Sequence, residues 1–114
     1  MIIYGIKNCD TMQKAFKYLD VKNIKYKFHN YKTEGIDKET IKRWFKYLPM
    51  EEIINSKSRT FKNLTTQEKA DTSNSSKAVA LLIKNTSMIK RPLLDLGEGK
   101  FLIGFNIEEW SILK

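Results

Sequence analysis

Cys9 is the residue whose type and position most directly suggest chemistry, and it is the single cysteine of the chain. It follows an apolar, β-branched run, Met1–Ile6, and precedes a segment with helical spacing. A thiol at the start of a helix faces unpaired N–H groups and the positive end of the helix dipole, which favour the thiolate. Lys7 and Lys14 add positive charge on either side. These features predict a reactive thiol; the alternative is a buried cysteine that acts as a small hydrophobic residue.

The elements around Cys9 follow from the spacing of the apolar residues. Met1–Ile6 predicts a buried strand, and a helix is predicted from Thr11 to about Val21, with Asp10 or Thr11 as its N-cap. A second strand is predicted over Lys25–Tyr31, which gives a β-α-β order and two parallel strands. The helical face is formed by residues at positions i, i+3, i+4 and i+7, which are Met12, Ala15, Phe16 and Leu19.

The rest of the chain is predicted to be a helical block followed by a hairpin and a last helix. The hairpin would join Met88–Leu96 to Lys100–Phe105 through a glycine-containing turn, and Ile107–Leu113 would form the last helix. The block would contain one helix that begins after a cap at Asp37 and ends at Pro49. Further helices are predicted over Met50–Ser56, Phe61–Asp71 and Ser75–Asn85.

Arg91-Pro92 is the second feature with chemical interest, because the proline interrupts a predicted strand. A β-α-β unit followed by β-β-α resembles the thioredoxin-like fold, in which a cis-proline before the third strand lies beside the active cysteine. That resemblance implies that the guanidinium of Arg91 lies near the sulfur of Cys9. The alternative is an edge-strand proline next to a solvated arginine, since proline lacks the N–H that a strand ladder needs.

Four segments share a pattern with one known family: Tyr4–Thr11, Ile53–Leu64, Ile89–Leu94 and Leu102–Glu109. Together they resemble the arsenate reductase (ArsC)-like family, and its YffB/Spx branch most closely. The resemblance covers essentially the whole chain in the family's order. It implies one domain over residues 1–114 with an α/β, thioredoxin/glutaredoxin-like fold: a four-stranded mixed sheet and a helical insertion over about residues 35–86.

The YffB-like branch implies a monothiol thiol-disulfide oxidoreductase in which Cys9 is the nucleophile and Arg91 assists it. Glutathione is the expected co-substrate, glutaredoxin or thioredoxin are further candidate partners, and no tightly bound cofactor is expected. No metal site is predicted either, because a single cysteine excludes a site with several thiolates. The residues expected to bind glutathione or another small thiol are Lys7, Asn8, Thr11, Arg59 and Pro92.

Two alternatives arise from the same family. The arsenate reductases use two further arginines, which fall near Asn55 and Gly104 in this sequence, and neither position holds an arginine. Lys57 or Arg59 could substitute for the first of them. Spx-type proteins regulate transcription by binding RNA polymerase, and many carry a Cys-x-x-Cys switch; Met12 occupies the second cysteine position, so this chain cannot form that disulfide.

The composition limits the remaining possibilities. The chain has 21 Lys and Arg against 13 Asp and Glu, a net charge of +8, which would suit a nucleic acid. The basic residues form no block and only three are arginines, so nucleic acid is not predicted as the main partner. No window approaches the ~18 apolar residues of a membrane helix and no secretory signal is visible. We therefore expect a cytoplasmic protein without membrane contact. We also expect a monomer.

Overall fold

The computed structural model describes residues 1–113 of the chain. Strand β1 (Ile2–Gly5) is followed by helix α1 (Asp10–Val21). The N-cap of α1 is Cys9 in an extended conformation, so the prediction of Asp10 or Thr11 as the cap was wrong. The helix begins earlier because the carbonyl of Cys9 already accepts the N–H of Gln13 at 2.9 Å. Asp10 instead places its carboxylate in the first turn, where the helix dipole favours negative charge.

Strand β2 (Lys27–Asn30) is shorter than the predicted Lys25–Tyr31 because the chain turns into a short helix, α2 (Tyr31–Glu34), which the sequence analysis missed. Asn30 starts this turn, since its side-chain oxygen accepts the N–H of Lys32 at 2.9 Å. The carboxylate of Glu34 accepts the N–H of Asn30 at 3.1 Å. Local hydrogen bonds of this kind compete with the strand ladder and end it.

The described strands form one mixed sheet in the order β2-β1-β3-β4, with β3 at Leu93–Gly97 and β4 at Lys100–Ile103. The predicted four-stranded mixed sheet is confirmed. Strand β1 pairs parallel with β2 and antiparallel with β3. The carboxyl ends of β1 and β2 and the amino end of β3 therefore meet at one edge of the sheet. We call it the Cys9 edge, because Cys9, Tyr31 and Arg91 follow or precede these strand ends.

The prediction of a strand over Met88–Leu96 was wrong for the first half of this segment. Thr86–Met88 form a 3-10 turn, and Ile89 makes only an isolated bridge with Ile54. The ladder of β3 starts after Pro92, which has no N–H to donate. The carbonyl of Pro92 nevertheless accepts the N–H of Gly104 at 2.8 Å, which ties the start of β3 to the end of β4.

Helix α1 and the last helix, α8 (Ile107–Trp110), cover one face of the sheet. The last helix is shorter than the predicted Ile107–Leu113. Gly5 packs closely against α1. A Cβ at this position would run into the thioether of Met12. The thioether packs in the core, as predicted for the apolar face of α1. The fully buried members of this core are Ile3, Met12, Ala15, Leu19, Leu94 and Trp110.

Residues Gly35–Lys90 form a compact unit of their own, separate from the unit made by Met1–Glu34 and the chain from Arg91 onward. We call Gly35–Lys90 the insertion unit. Asp37 and Asn74 cap its two longest helices by accepting the N–H groups of Thr40 and Lys77. Its helices are α3 (Lys38–Tyr47), α4 (Met50–Ile53), α5 (Arg59–Lys62), α6 (Thr66–Asp71) and α7 (Ser75–Lys84).

The prediction of a single helix over Phe61–Asp71 was wrong, because two short helices occupy this stretch. Thr65 and Glu68 form a reciprocal capping box that starts α6 and ends the helical continuity with α5. Helix α3 packs on α7. Among the described residues, no helix has the length and apolar character needed to cross a membrane.

Candidate active site

Cys9 is held in place by the loop that joins β1 to α1. The carbonyl of Lys7 accepts two hydrogen bonds, one from the N–H of Cys9 at 3.1 Å and one from Nε2 of Gln13 at 2.7 Å. Gln13 also donates its own N–H to the carbonyl of Cys9. The side chain of Gln13 therefore ties the loop before the thiol to the helix after it. Sequence reasoning missed Gln13; its position one turn after Cys9 is the signal that could have identified it.

The pKa of the Cys9 thiol is lowered below its ordinary value of 9.0. Burial of the half-buried side chain acts in the opposite direction, but it is outweighed by the N–H of Met12, by the hydrogen bond and charge of Arg91, and by the N–H of Thr11. The sulfur makes no regular capping hydrogen bond, so the two N–H groups act mainly as dipoles directed at it. More of the thiol is therefore ionised near neutral pH, and the thiolate is the nucleophilic form.

Arg91 and Pro92 stand at the start of β3, and the peptide bond between them is cis. Arg91 is half-buried, and its guanidinium acts on the thiol, lowering the pKa of Cys9 through hydrogen bonding and through its charge. Pro92 is buried. The charge of Arg91 therefore acts on the thiol, and the half-buried side chain differs from the solvated arginine of the alternative interpretation.

A groove of about 450 Å³ opens beside the first turns of α1. Lys14 and Glu108 give it one positive and one negative charge, and Phe105 and Ile107 give it apolar surface. Such a mixture suits a small molecule that carries both charges and an apolar part. Thr11 and Asn106 complete its wall.

The wall of this groove is supported from behind by Trp110. Its indole Nε1–H donates to the carbonyl of Gly104 at 3.0 Å, and its ring packs edge-on against Phe105 with 5.0 Å between centroids. Gly104 has a φ of +74°, a conformation that side chains with a Cβ rarely adopt. The sequence analysis predicted the last helix, but it did not assign Phe105, Asn106 or Trp110 to the site.

The other residues predicted to bind a thiol substrate lie in different places. Lys7 and Asn8 are exposed in the loop before Cys9, and Thr11 is exposed at the groove. Arg59 is the exposed first residue of α5, in the insertion unit. The site described here is confined to the first unit and does not include Arg59.

His29 and Tyr31 lie at the end of β2, where sequence reasoning assigned no function. The ring of His29 contacts that of Tyr4 at 5.0 Å between centroids, and its Nδ1 lies 3.9 Å from a carboxylate oxygen of Glu34. Within residues 1–113 no group of three or more His, Cys, Asp or Glu side chains is placed to hold a metal ion.

The mixed sheet with a cysteine at the start of α1 and a cis-proline opposite it defines a thioredoxin-like protein, which confirms the predicted fold class. The profile of the ArsC family matches residues 4–113, and the chain belongs to this family. The solved YffB protein is 40% identical with a TM-score of 0.90, covering 97% of this chain and 96% of its own. An ArsC-related protein from Brucella melitensis is 39% identical with a TM-score of 0.75, covering 98% and 92%.

Two curated relatives complete the comparison. An uncharacterized protein from Haemophilus influenzae is 39% identical over 109 residues, which are 96% of this chain and 94% of the relative. The global transcriptional regulator Spx from Streptococcus agalactiae is 27% identical over 104 residues, which are 90% of this chain and 74% of the regulator. These relatives confirm the predicted resemblance to the YffB/Spx branch.

Proposed function

We propose that this protein is a monothiol thiol-disulfide oxidoreductase of the cytoplasm, with Cys9 as nucleophile and glutathione as the second thiol. The observation that carries the proposal is the position of Cys9 as the N-cap of α1, where the N–H groups of Met12 and Thr11 and the guanidinium of Arg91 lower its pKa. These groups stabilise the thiolate that attacks a disulfide. A thiolate of this kind can act repeatedly only where other thiols are kept reduced, as they are in the cytoplasm.

The reaction takes two exchange steps. The Cys9 thiolate attacks the glutathione sulfur of a mixed disulfide between glutathione and a substrate; a bond forms from Cys9 to glutathione, and the substrate sulfur leaves as a thiolate that takes a proton from solvent. A second glutathione thiolate then attacks the glutathione sulfur on Cys9 and releases the Cys9 thiolate. The products are a reduced substrate and glutathione disulfide. Since the chain has one cysteine, the second thiol must come from another molecule.

The groove beside α1 is the proposed binding site for the backbone of glutathione. Lys14 would bind a carboxylate and Glu108 the ammonium group, while Thr11 would contribute a hydroxyl. Lys7 and Asn8 stand next to the thiol and are proposed to contact the ligand from the loop side. Pro92 and the backbone before it would hold an extended ligand along the start of β3, and Arg59 stays a prediction.

A glutathione titration followed by backbone amide shifts tests this proposal. We expect the shifts to cluster at Lys7–Thr11, at Lys14 and at Arg91. Mass spectrometry on the same samples should find glutathione on the native protein after addition of glutathione disulfide, and none on Cys9→Ser. No shift at the Cys9 edge, together with no adduct, would overturn the proposal.

A second function is favoured by the similarity to Spx over 90% of the chain. Under this alternative the protein binds RNA polymerase without a disulfide switch of its own, because Met12 is buried at the second cysteine position. A pull-down with RNA polymerase separates the two functions. Binding that survives Cys9→Ser would support the regulator, and no recovery of polymerase would count against it.

Arsenate reduction receives the least support from the site. Gly104 stands where one further arginine of the arsenate reductases would fall, and its φ of +74° makes any larger residue there strained. The arsenate reductase from Vibrio cholerae is 18% identical with a TM-score of 0.79, a similarity that speaks for the fold alone. Arsenate-dependent turnover with a supply of glutathione and glutaredoxin would measure this activity directly, and we expect little.

A further inference from the structure

Helices α3 and α7 of the insertion unit pack side by side and leave an open groove between them. Its volume is about 280 Å³ where the last turns of α3 face the first turns of α7. It continues over about 250 Å³ where the first turns of α3 face the later part of α7. Lys42, Ser76 and Val79 line both stretches, so the two form one groove, which we call the α3–α7 groove.

One rim of the α3–α7 groove is formed by three exposed lysines of α3, which are Lys38, Lys42 and Lys46. They are spaced four residues apart, so they lie on one face of the helix at intervals of about 6 Å along its axis. Among residues 1–113 no acidic side chain lines the groove, and none of the three lysines forms an ion pair. Lys46 has a cation–π contact with Tyr47, at 5.8 Å from Nζ to the ring centroid, which leaves its N–H groups available to an anion.

The rest of the groove has an apolar lining. Val79 is buried beneath it and Phe45 is half-buried, whereas Ala80 and Ile83 are exposed. Ile83 is 40% exposed, which is a large fraction for an isoleucine in a folded protein. A partner that covers these side chains would gain free energy by removing their apolar surface from water. The groove therefore offers apolar contact along a row of positive charges that the protein does not neutralise.

This combination fits an amphipathic helix that carries acidic residues beside its apolar face. Such a helix would place apolar side chains on Phe45 and Ile83, and carboxylates spaced four residues apart would face the lysine rim. The rim extends for about 12 Å from Lys38 to Lys46, which equals about two turns of a helix.

Two other occupants fit the groove less well. A second copy of this chain would bring a net charge of +8 to a basic rim, and like charges facing each other weaken association. A nucleic acid would pair its phosphates with the lysines, but bases stack on aromatic rings, and Val79, Ala80 and Ile83 make the lining mostly aliphatic.

We propose that the α3–α7 groove is a docking site for an acidic amphipathic helix of a partner protein. The three rim lysines bind the carboxylates of that helix, and Phe45 and Ile83 bind its apolar face. The site lies in the insertion unit, and the proposal is independent of thiol exchange at Cys9. It assigns a role to part of the net positive charge, for which the sequence pattern predicted no partner.

The test uses a fluorescein-labelled peptide of about four helical turns, with leucines on one face and glutamates four residues apart beside them. Fluorescence anisotropy measures its binding to the full-length native protein at two salt concentrations. We expect a micromolar dissociation constant that rises with salt, because salt screens the exposed charges. Lys42→Glu should weaken binding about tenfold, because it replaces an attraction in the middle of the rim by a repulsion. Ile83→Ser should weaken binding several-fold by removing apolar contact.

The matched control is Lys62→Glu, which changes the net charge by the same amount but lies on α5, outside the groove. It should leave the dissociation constant within about twofold of the native value. Cys9→Ser should bind the peptide like the native protein, so a failure of the proposed thiol chemistry would leave this result unchanged. A peptide with lysines in place of the glutamates should not bind.

Three results would overturn the inference. The first is no binding of the acidic peptide at about 1 mM, the weak end of specific affinities. The second is equal weakening by Lys42→Glu and Lys62→Glu, which would show a general effect of charge. The third is a single-stranded oligonucleotide that binds more tightly than the peptide and loses affinity in Lys42→Glu but not in Lys62→Glu, because the groove would then bind nucleic acid.

Discussion

Arg91 lowers the pKa of the Cys9 thiol through hydrogen bonding and its charge, although the two residues are 82 positions apart in the sequence. The antiparallel pairing of β1 with β3 brings them together, since Tyr4 near the end of β1 pairs with Leu93 at the start of β3. The loops that continue from these strand ends meet at the Cys9 edge. One strand pairing thus supplies both the nucleophile and the cation that stabilises it.

Replacement of Arg91 by Met should raise the pKa of Cys9, because it removes both a hydrogen bond to the thiolate and a positive charge beside it. The rate of iodoacetamide labelling as a function of pH measures this pKa. We expect a several-fold slower reaction near neutral pH, with the rate recovering as the pH rises. Arg91→Lys is the control that keeps the charge, and its labelling rate near neutral pH should lie between those of the native protein and Arg91→Met. Identical profiles for all three proteins would remove Arg91 from the site.

The stability of the protein should depend on pH through Cys9. Folding lowers the pKa of Cys9 from its ordinary value of 9.0, so the folded protein stabilises the thiolate form of Cys9 more than the unfolded chain does. The resulting stabilisation is fully present above the pKa of the unfolded chain and is lost as the pH falls through the lower pKa of the folded state.

Urea unfolding of the native protein and of Cys9→Ser over this range measures that contribution. The difference in free energy of unfolding between the two should grow as the pH rises towards about 9 and then level off. A difference that stays constant with pH would contradict the lowered pKa.

Gly104→Ala should destabilise the protein by about 1–2 kcal/mol, because a residue with a Cβ is strained at a φ of +74°. The added methyl group would meet no atom within 4 Å, so the effect comes from the backbone alone. Gly35→Ala in the insertion unit is a matched control, with a φ of +64° and equally open space. Both should lower the melting temperature, but only Gly104→Ala should slow glutathionylation of Cys9, because Gly104 hydrogen-bonds Pro92 and precedes the groove.

Gly5→Ala should cost about 1–3 kcal/mol of stability through overpacking, because the new methyl group runs into the thioether of Met12. In the Met12→Ala background the same change should cost much less, since the obstructing side chain is gone. Chemical denaturation of the two single variants and the double variant measures this coupling. If the two changes were strictly additive in the free energy of unfolding, the contact with Met12 would not be the reason why a methyl group at position 5 destabilises the protein.

Local pattern was sufficient for much of the fold. The helical spacing of Met12, Ala15 and Leu19 predicted α1, and the order of the elements predicted the parallel pair β1–β2 and the hairpin, because burial of apolar residues imposes these periods. The four-stranded sheet was implied by the family resemblance. The boundaries were less predictable. A capping box at Thr65 and a side-chain turn at Asn30 redirected the chain, and hydrogen bonds made by single polar side chains leave little trace in hydrophobic periodicity.

The sequence by itself determined that the chain has one thiol, that this thiol stands at the start of a helix, and that any resolving thiol must come from another molecule. Only the tertiary structure decided what surrounds the thiol. Two features depend on residues distant in the chain: the effect of Arg91 on the pKa of Cys9, and the groove between α1 and the Phe105–Glu108 segment. Such contacts depend on strand pairing and burial, which arise from the whole fold and not from neighbouring residues.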